Sequence, residues 1–263
     1  MLIQSARAKV SRASKHLAAL GESLWGFNER KPYRITREDD IDSGECFLIY
    51  EPTEPVPPFW PVIVGEILYN LHSALDHAVY ELSIPESGIP LQRTAFPIFD
   101  DEDAFFKCKR DGDPANKSGL DRIRGLNEPT QAYVASIQPF NARKVNKTAL
   151  VAVLHEMSNI DKHRTVHICR RNIAVQSYTF FPFVDLRGPV RTLTRNLDER
   201  AKLLSWTPAN RDQEVDVKTD IVIDIFFDQT SAEVFPGKER VGKALNNLVL
   251  GVNSILDEME ARA

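Results

Sequence analysis

The chain has 263 residues, of which 43% are hydrophobic, and carries a formal net charge of −4 with a pI of about 5.9. This is the composition of an ordinary globular protein with a sizeable core, and the acidic balance excludes a broad nucleic-acid-binding surface. No apolar run reaches the roughly 20 residues needed to span a bilayer, so we expect no membrane partner. Three widely spaced cysteines and an N-terminus without an apolar signal core favour a cytoplasmic protein without disulfides.

Apolar residues near the N-terminus recur every seven positions in two interleaved sets. The first set is Ile3, Val10, Leu17 and Leu24, and the second is Ala6, Ala13, Leu20 and Phe27. This seam predicts a long helix that packs lengthwise on another helix. An intramolecular bundle helix and a homodimeric coiled coil both remain open.

Residues 33–38 and 45–53 predict a β-hairpin, because β-favouring residues flank a turn at Asp42, Ser43 and Gly44. A proline cluster ends the second strand, and Pro61 suits the first turn of a helix that extends to about Leu82. Residues 83–127 are rich in proline and glycine, which predicts a loop-rich insertion with one short helix at about 101–109. Asn127 is the predicted cap of a helix that reaches about Gln138.

Further helices are predicted at 148–168 and, from an apolar stripe, near the C-terminus. Residues 173–184 and 215–227 predict strands. The stripe consists of Val241, Leu245, Leu248, Val252, Ile255 and Met259. Together these elements predict a single α+β domain over residues 1–263, in which a helical bundle accompanies a small antiparallel sheet.

The helices at 65–82 and 148–168 contain five of the six histidines. On the first, His72 and Asp76 have i, i+4 spacing, so the carboxylate can fix the tautomer of the imidazole. A solvated helix flank with a local ion pair is the alternative. His77 lies on another face of the same helix, in line with Glu66.

On the second helix, His163 and His167 have the spacing with which two imidazoles bind one metal ion. With His77 or Glu66 as a third ligand they would form a zinc or iron site, which is the alternative prediction. We nevertheless predict no cofactor, because paired histidines also occur on helices without metal.

Lys162, His163 and Arg164 form a cationic run near the end of that helix. The run either offsets the negative partial charge of the helix C-terminus or faces an anionic ligand such as phosphate.

Three segments carry a resemblance to known proteins. They read GEILYNL at 65–71, SALDH at 73–77 and NIDKHR at 159–164, with FPIF at 96–99 between them. This combination resembles a widespread family of uncharacterised bacterial proteins. In that family an arginine often precedes the SALDH run, and the resulting Arg-x4-His pattern resembles the motif of HEPN helical ribonucleases from toxins and defence systems.

The HEPN resemblance implies a metal-independent ribonuclease in which histidine acts as acid or base and arginine holds the scissile phosphate, often across a dimer. Position by position, His77 takes the histidine role, and His72 stands where arginine belongs. Lys162 and His167 repeat the pattern with lysine in place of arginine. The implied catalytic candidates are His77, His72, Asp76, Lys162, His163, Arg164 and His167, with RNA as the implied partner.

Two other functions fit the same residues. One is a binding or regulatory module in which the polar cluster is a structural hydrogen-bond network. The other is a metal-dependent hydrolase with histidine and glutamate ligands.

Overall fold

The computed structural model describes residues 3–84, 92–145, 149–163, 168–193, 199–210, 215–227 and 240–263. The helices in these ranges are α1 (Gln4–Glu29), α2 (Phe59–Leu82), α3 (Glu102–Phe105), α4 (Gly119–Ile123), α5 (Glu128–Ser136), α6 (Pro139–Lys144), α7 (Leu150–His163) and α8 (Val241–Arg262). The strands are β1 (Tyr33–Asp39), β2 (Cys46–Pro52), β3 (Ile168–Phe181), β4 (Arg191–Thr192), β5 (Ala201–Trp206) and β6 (Asp216–Phe227). The predicted α+β class is confirmed. None of the described helices has the length and apolar character that crossing a membrane requires.

The chain divides into two compact units. The first comprises Met1–Ala19, Pro61–Val166 and Gln229–Ala263, and the second comprises Leu20–Trp60 and His167–Asp228. The single domain with an insertion at 83–127 stays a prediction.

In the first unit, α2 and α8 bury the faces that their sequence periodicity predicts. The apolar stripe of α8 is buried along its whole length, and so are Ile67, Leu71 and Leu75 on α2. At the start of α1, Ile3, Ala6, Val10 and Ala13 are buried as well. Arg7 of α1 binds Asp257 of α8 at 2.6 Å. These four residues of the heptad seam therefore pack within this unit, as expected for a bundle helix.

The segment after α2 is compact in its described part, residues 92–127. Phe96, Phe105 and Ile123 are buried, and α3 is the predicted short helix. A backbone N–H of this segment, that of Phe96, donates to Oδ1 of Asp76 at 2.9 Å. The segment thus holds a polar residue of α2 in place.

The predicted cap at Asn127 is confirmed, because its side chain accepts the N–H of Thr130. The helix it begins is shorter than predicted. It ends at Ser136, and α6 begins separately at Pro139. Proline disfavours helical geometry at the residue before it, and buried Gln138 uses its side chain to bind Phe99 and Pro97 instead.

The second unit contains an antiparallel sheet of order β1-β2-β5-β4 and a two-stranded ribbon of β3 and β6. The predicted hairpin is confirmed, with Tyr33 opposite Pro52 and Asp39 opposite Cys46. Strand β3 begins at Ile168, where a helix was predicted, because its ladder with β6 continues to Phe227. Strands β4 and β5 were missed by the sequence patterns.

The second half of α1 packs in the same unit through polar contacts. Nδ2 of Asn28 donates to the carbonyl of Ile223 at 3.0 Å, and Oδ1 of Asn28 accepts the N–H of Ile223 at 2.7 Å. Trp60 donates to Oγ of Ser23 at 2.8 Å. One amide side chain therefore satisfies both backbone groups of a residue in β6.

Candidate functional site

A cavity of about 190 Å³ lies between α2 and α7 in the first unit. It is lined by polar side chains from both helices, namely Tyr69, His72, Ser73 and Asp76 from α2, with Ser158, Asp161 and Lys162 from α7. Three of the predicted catalytic residues, His72, Asp76 and Lys162, thus share one cavity. We call it the α2–α7 cavity.

His72 in this cavity is accompanied by a carboxylate. Its Nδ1 lies 3.5 Å from Oδ2 of Asp76, whose other oxygen accepts the N–H of Phe96. The Asp76 carboxylate is therefore fixed between the imidazole and the backbone. A carboxylate on the Nδ1 side favours the tautomer that carries its proton there, which leaves Nε2 free to accept a proton.

His155 of α7 packs against His72, with ring centroids 5.8 Å apart and planes inclined by 33°. Nδ2 of Asn159 donates to Nε2 of His155 at 3.0 Å. Burial lowers the pKa of His155, and its proximity to His72 and Lys162 lowers it further. His72 therefore lies against an imidazole that is neutral at neutral pH.

Asp161 lies on α7 next to Gly65 of α2. Its carboxyl group occupies the space that a Cβ atom would fill at Gly65. Burial raises the pKa of Asp161, and within the described ranges its carboxyl group has no hydrogen-bond or ion-pair partner. A carboxyl group in this state holds a proton to a higher pH than an exposed one.

Two further groups in the cavity lack partners within the described ranges. Lys162 is exposed at the rim and forms no ion pair with any carboxylate in the described part of the chain. Ser158 is 3% exposed, and its Oγ has no hydrogen-bond partner in the part of the chain that the structure describes. Buried polar atoms are normally hydrogen-bonded, so an unpartnered hydroxyl beside a cavity indicates a place for a polar ligand.

His77, the residue to which the HEPN resemblance gives the histidine role, lies in a neighbouring cavity of about 460 Å³. Its Nδ1 is 2.8 Å from Oγ of Ser5 in the first turn of α1. Next to it, Glu81 accepts the N–H groups of Ser5 and Ala6 at 2.9 and 3.3 Å. These contacts satisfy backbone donors at the start of α1, as a capping carboxylate does.

The remaining candidates lie at the end of α7 or beyond it. His163 is the last residue of the helix, and its side chain is outside the described part of the structure. Arg164 and His167 lie outside the described residues. The structure therefore brings together His72, Asp76 and Lys162, and it places His77 in the adjacent cavity, which shares Asp76.

Sequence reasoning missed His155, Ser158 and Asp161 as members of the site. A signal for His155 was its i, i+4 spacing to Asn159, which mirrors the spacing of His72 and Asp76. Gly65 was a signal for Asp161, because a glycine inside a helix often marks the close approach of another group.

The proposed metal ligands are only partly described. Glu66 faces Nδ1 of His16 at 3.3 Å. Among the described residues, no group of three or more His, Cys, Asp or Glu side chains is arranged to hold a metal ion. The side chain of His163 and the whole of His167 lie outside the described part of the chain.

Comparison with protein-family models, curated proteins and solved structures finds no match for this chain. Its function must therefore be inferred from the geometry of the α2–α7 cavity.

Proposed function

We propose that this protein is a metal-independent ribonuclease of the HEPN-like kind and that cleavage takes place in the α2–α7 cavity. One observation carries the proposal: His72, oriented by Asp76, shares this cavity with Lys162, whose ammonium group has no carboxylate partner among the described residues. Cleavage of RNA at neutral pH needs a positioned base and a cation for the charge that develops on phosphate.

The reaction is an attack of the ribose 2′-hydroxyl on the adjacent phosphorus. Nε2 of His72 takes the hydroxyl proton, and the 2′-oxygen forms a bond to phosphorus while the bond to the 5′-oxygen breaks. The leaving 5′-oxygen takes a proton from water. Lys162 stabilises the negative phosphorane oxygens. The products are a 2′,3′-cyclic phosphate and a 5′-hydroxyl end.

This assignment changes the residue that carries the histidine role. His77 is bound to Ser5 and stands beside the start of α1, whereas His72 lines the cavity that contains Lys162. Arg164 and His167 follow Lys162 closely in sequence and stay candidates for phosphate binding.

The test is incubation of single-stranded RNA with the purified protein in excess chelator. We expect cleavage that leaves cyclic phosphate ends, and a loss of about 10²- to 10⁴-fold in His72→Ala. His77→Ala is the matched comparison on the same helix and should retain cleavage. Equal activity of wild type and His72→Ala would contradict the proposal.

A binding or regulatory module is the second candidate, and the contacts of His77 favour it. Ser5, His77 and Glu81 form a polar network that joins α1 to α2. Such a network fixes helix packing without any chemistry. In this case Glu81→Ala should lower the free energy of unfolding by about 0.5–2 kcal/mol, and no preparation should cleave RNA. Chemical denaturation and the cleavage assay together separate the two candidates.

A further inference from the structure

A second recess adjoins the α2–α7 cavity. Its volume is about 500 Å³, and it is bounded by α1 and α2 with one residue of α7. Tyr69 and Asp161 line both spaces, so the two are adjacent. We call the second space the α1–α2 groove. Its size falls within the range of about 300–1,000 Å³ that is usual for ligand sites, whereas the α2–α7 cavity is smaller.

An exposed aromatic ring stands where the cavity and the groove meet. Tyr69 is 60% exposed on the middle of α2, and Nζ of Lys9 lies 5.2 Å from its ring centroid. An exposed aromatic ring beside a cation is the arrangement with which proteins stack an unpaired nucleobase.

The groove also contains a guanidinium group that has no anionic partner among the described residues. Arg12 lines the groove and forms no ion pair with the described carboxylates of the chain. The nearby carboxylate of Glu66 is directed to Nδ1 of His16 at 3.3 Å. Arg12 therefore keeps its donors available, and a guanidinium binds a phosphate through two parallel hydrogen bonds.

We infer that the α1–α2 groove binds the nucleotide next to the scissile phosphate of a single-stranded RNA, with its base on Tyr69 and its phosphate on Arg12. The inference rests on the proposed function, because it assigns substrate contacts to the same site. It also determines the form of the substrate. A base that stacks on Tyr69 must be free of its own helix, so duplex RNA is excluded from this contact.

The experiment measures binding separately from cleavage. A short fluorescent 2′-O-methyl oligonucleotide has no 2′-hydroxyl to attack phosphorus, so its anisotropy reports binding alone. Titrations with wild type, Tyr69→Ala and Arg12→Ala are compared at several salt concentrations. The same sequence annealed to its complement tests the exclusion of duplex.

Tyr69→Ala should weaken binding by about 5- to 100-fold, as expected for the loss of one stacked base. Tyr69→Phe retains the ring and should bind like wild type. Arg12→Ala should reduce the slope of log affinity against log salt by about one, because one phosphate contact is lost. The duplex should bind more weakly than the single strand.

Matched controls come from the same helices. Tyr80 is an exposed tyrosine of α2 outside the groove, and Lys15 is an exposed cation of α1 outside it. Tyr80→Ala and Lys15→Ala should affect binding less than the groove variants do. If Tyr69→Ala binds as Tyr80→Ala does, or if wild type does not bind the oligonucleotide, the groove assignment is overturned.

The binding and cleavage experiments test the groove assignment and the ribonuclease proposal separately. Binding that depends on Tyr69 in a protein that never cleaves RNA would support the groove and reject the cleavage proposal. If the protein cleaves RNA but Tyr69→Ala does not weaken binding, the cleavage proposal is supported and the groove assignment is rejected.

Discussion

Gly65 of α2 makes room for the carboxyl group of Asp161 of α7. A Cβ atom at position 65 would overlap all three atoms of that carboxyl group. The absence of a side chain here thus places an acid between the cavity and the groove. Because the obstructing atoms are the end of a side chain, substitution at 65 acts chiefly by displacing Asp161.

We expect Gly65→Ala to be less favourable than Gly21→Ala by about 1–3 kcal/mol in the free energy of unfolding, because only the former creates an overlap. Gly21 is the control, since it is exposed in α1 and has nothing within 4 Å of an added Cβ. Urea denaturation measures both. In an Asp161→Ala background the difference should disappear, and its persistence would show that the overlap involves the backbone instead.

The raised pKa of Asp161 predicts that removing its charge stabilises the fold by an amount that depends on pH. Burial raises the pKa above its ordinary value of 3.8, so the folded chain keeps a proton that the unfolded chain has released. The stability that this group contributes is therefore lost as pH rises from 3.8 through the raised pKa of the folded state. Asp161→Asn should be more stable than wild type at neutral pH, and the advantage should shrink as pH falls towards 3.8. Denaturation curves at a series of pH values measure this. A stability difference between Asp161→Asn and wild type that does not change with pH would refute the prediction.

His155 predicts a pH dependence of opposite sign. Its pKa is lowered from 6.5, chiefly by burial, so below that pH the unfolded chain binds a proton that the folded chain resists. Stability from the neutral imidazole is present above 6.5 and is lost as pH falls through it. His155→Gln should flatten the decline of melting temperature on mild acidification. If melting temperature falls equally with pH in wild type and His155→Gln, His155 has the same pKa in the folded and unfolded states.

Asp76→Asn tests whether Asp76 orients His72 for cleavage without disturbing the stability of the fold. The amide oxygen still accepts the N–H of Phe96, but the carboxylate that favours a proton on Nδ1 of His72 is gone. We expect RNA cleavage in chelator to fall by about 10²- to 10⁴-fold while the free energy of unfolding changes by less than about 1 kcal/mol. Undiminished cleavage by a correctly folded variant would remove Asp76 from the site.

The long helices were predictable because each has one apolar stripe with helical period. The buried faces of α1, α2 and α8 follow from residue spacing alone. Strand β5 was not predictable in this way, since four of its six residues are buried in succession and no alternation marks it. The start of β3 was missed because its partner β6 lies far away in sequence.

The candidate site was predictable only where it depends on one helix. The pairing of His72 with Asp76 follows from i, i+4 spacing. The approach of His155 to His72, and of Asp161 to Gly65, depends on how α7 is rotated against α2. Rotation of one helix on another is set by the packing of whole faces, so local spacing does not determine it.

The side chain of Asn28 makes the two backbone hydrogen bonds to Ile223 that a neighbouring strand would otherwise make. The amide presents an N–H and a C=O to β6 in the same way that a peptide group would. A two-stranded ribbon has two open edges, and open edges invite pairing with other chains. Replacement of Asn28 by leucine would free a donor and an acceptor on β6 together. Two unpaired groups on an open strand edge are the kind of place where another chain adds a strand, so we expect this variant to self-associate more readily than wild type.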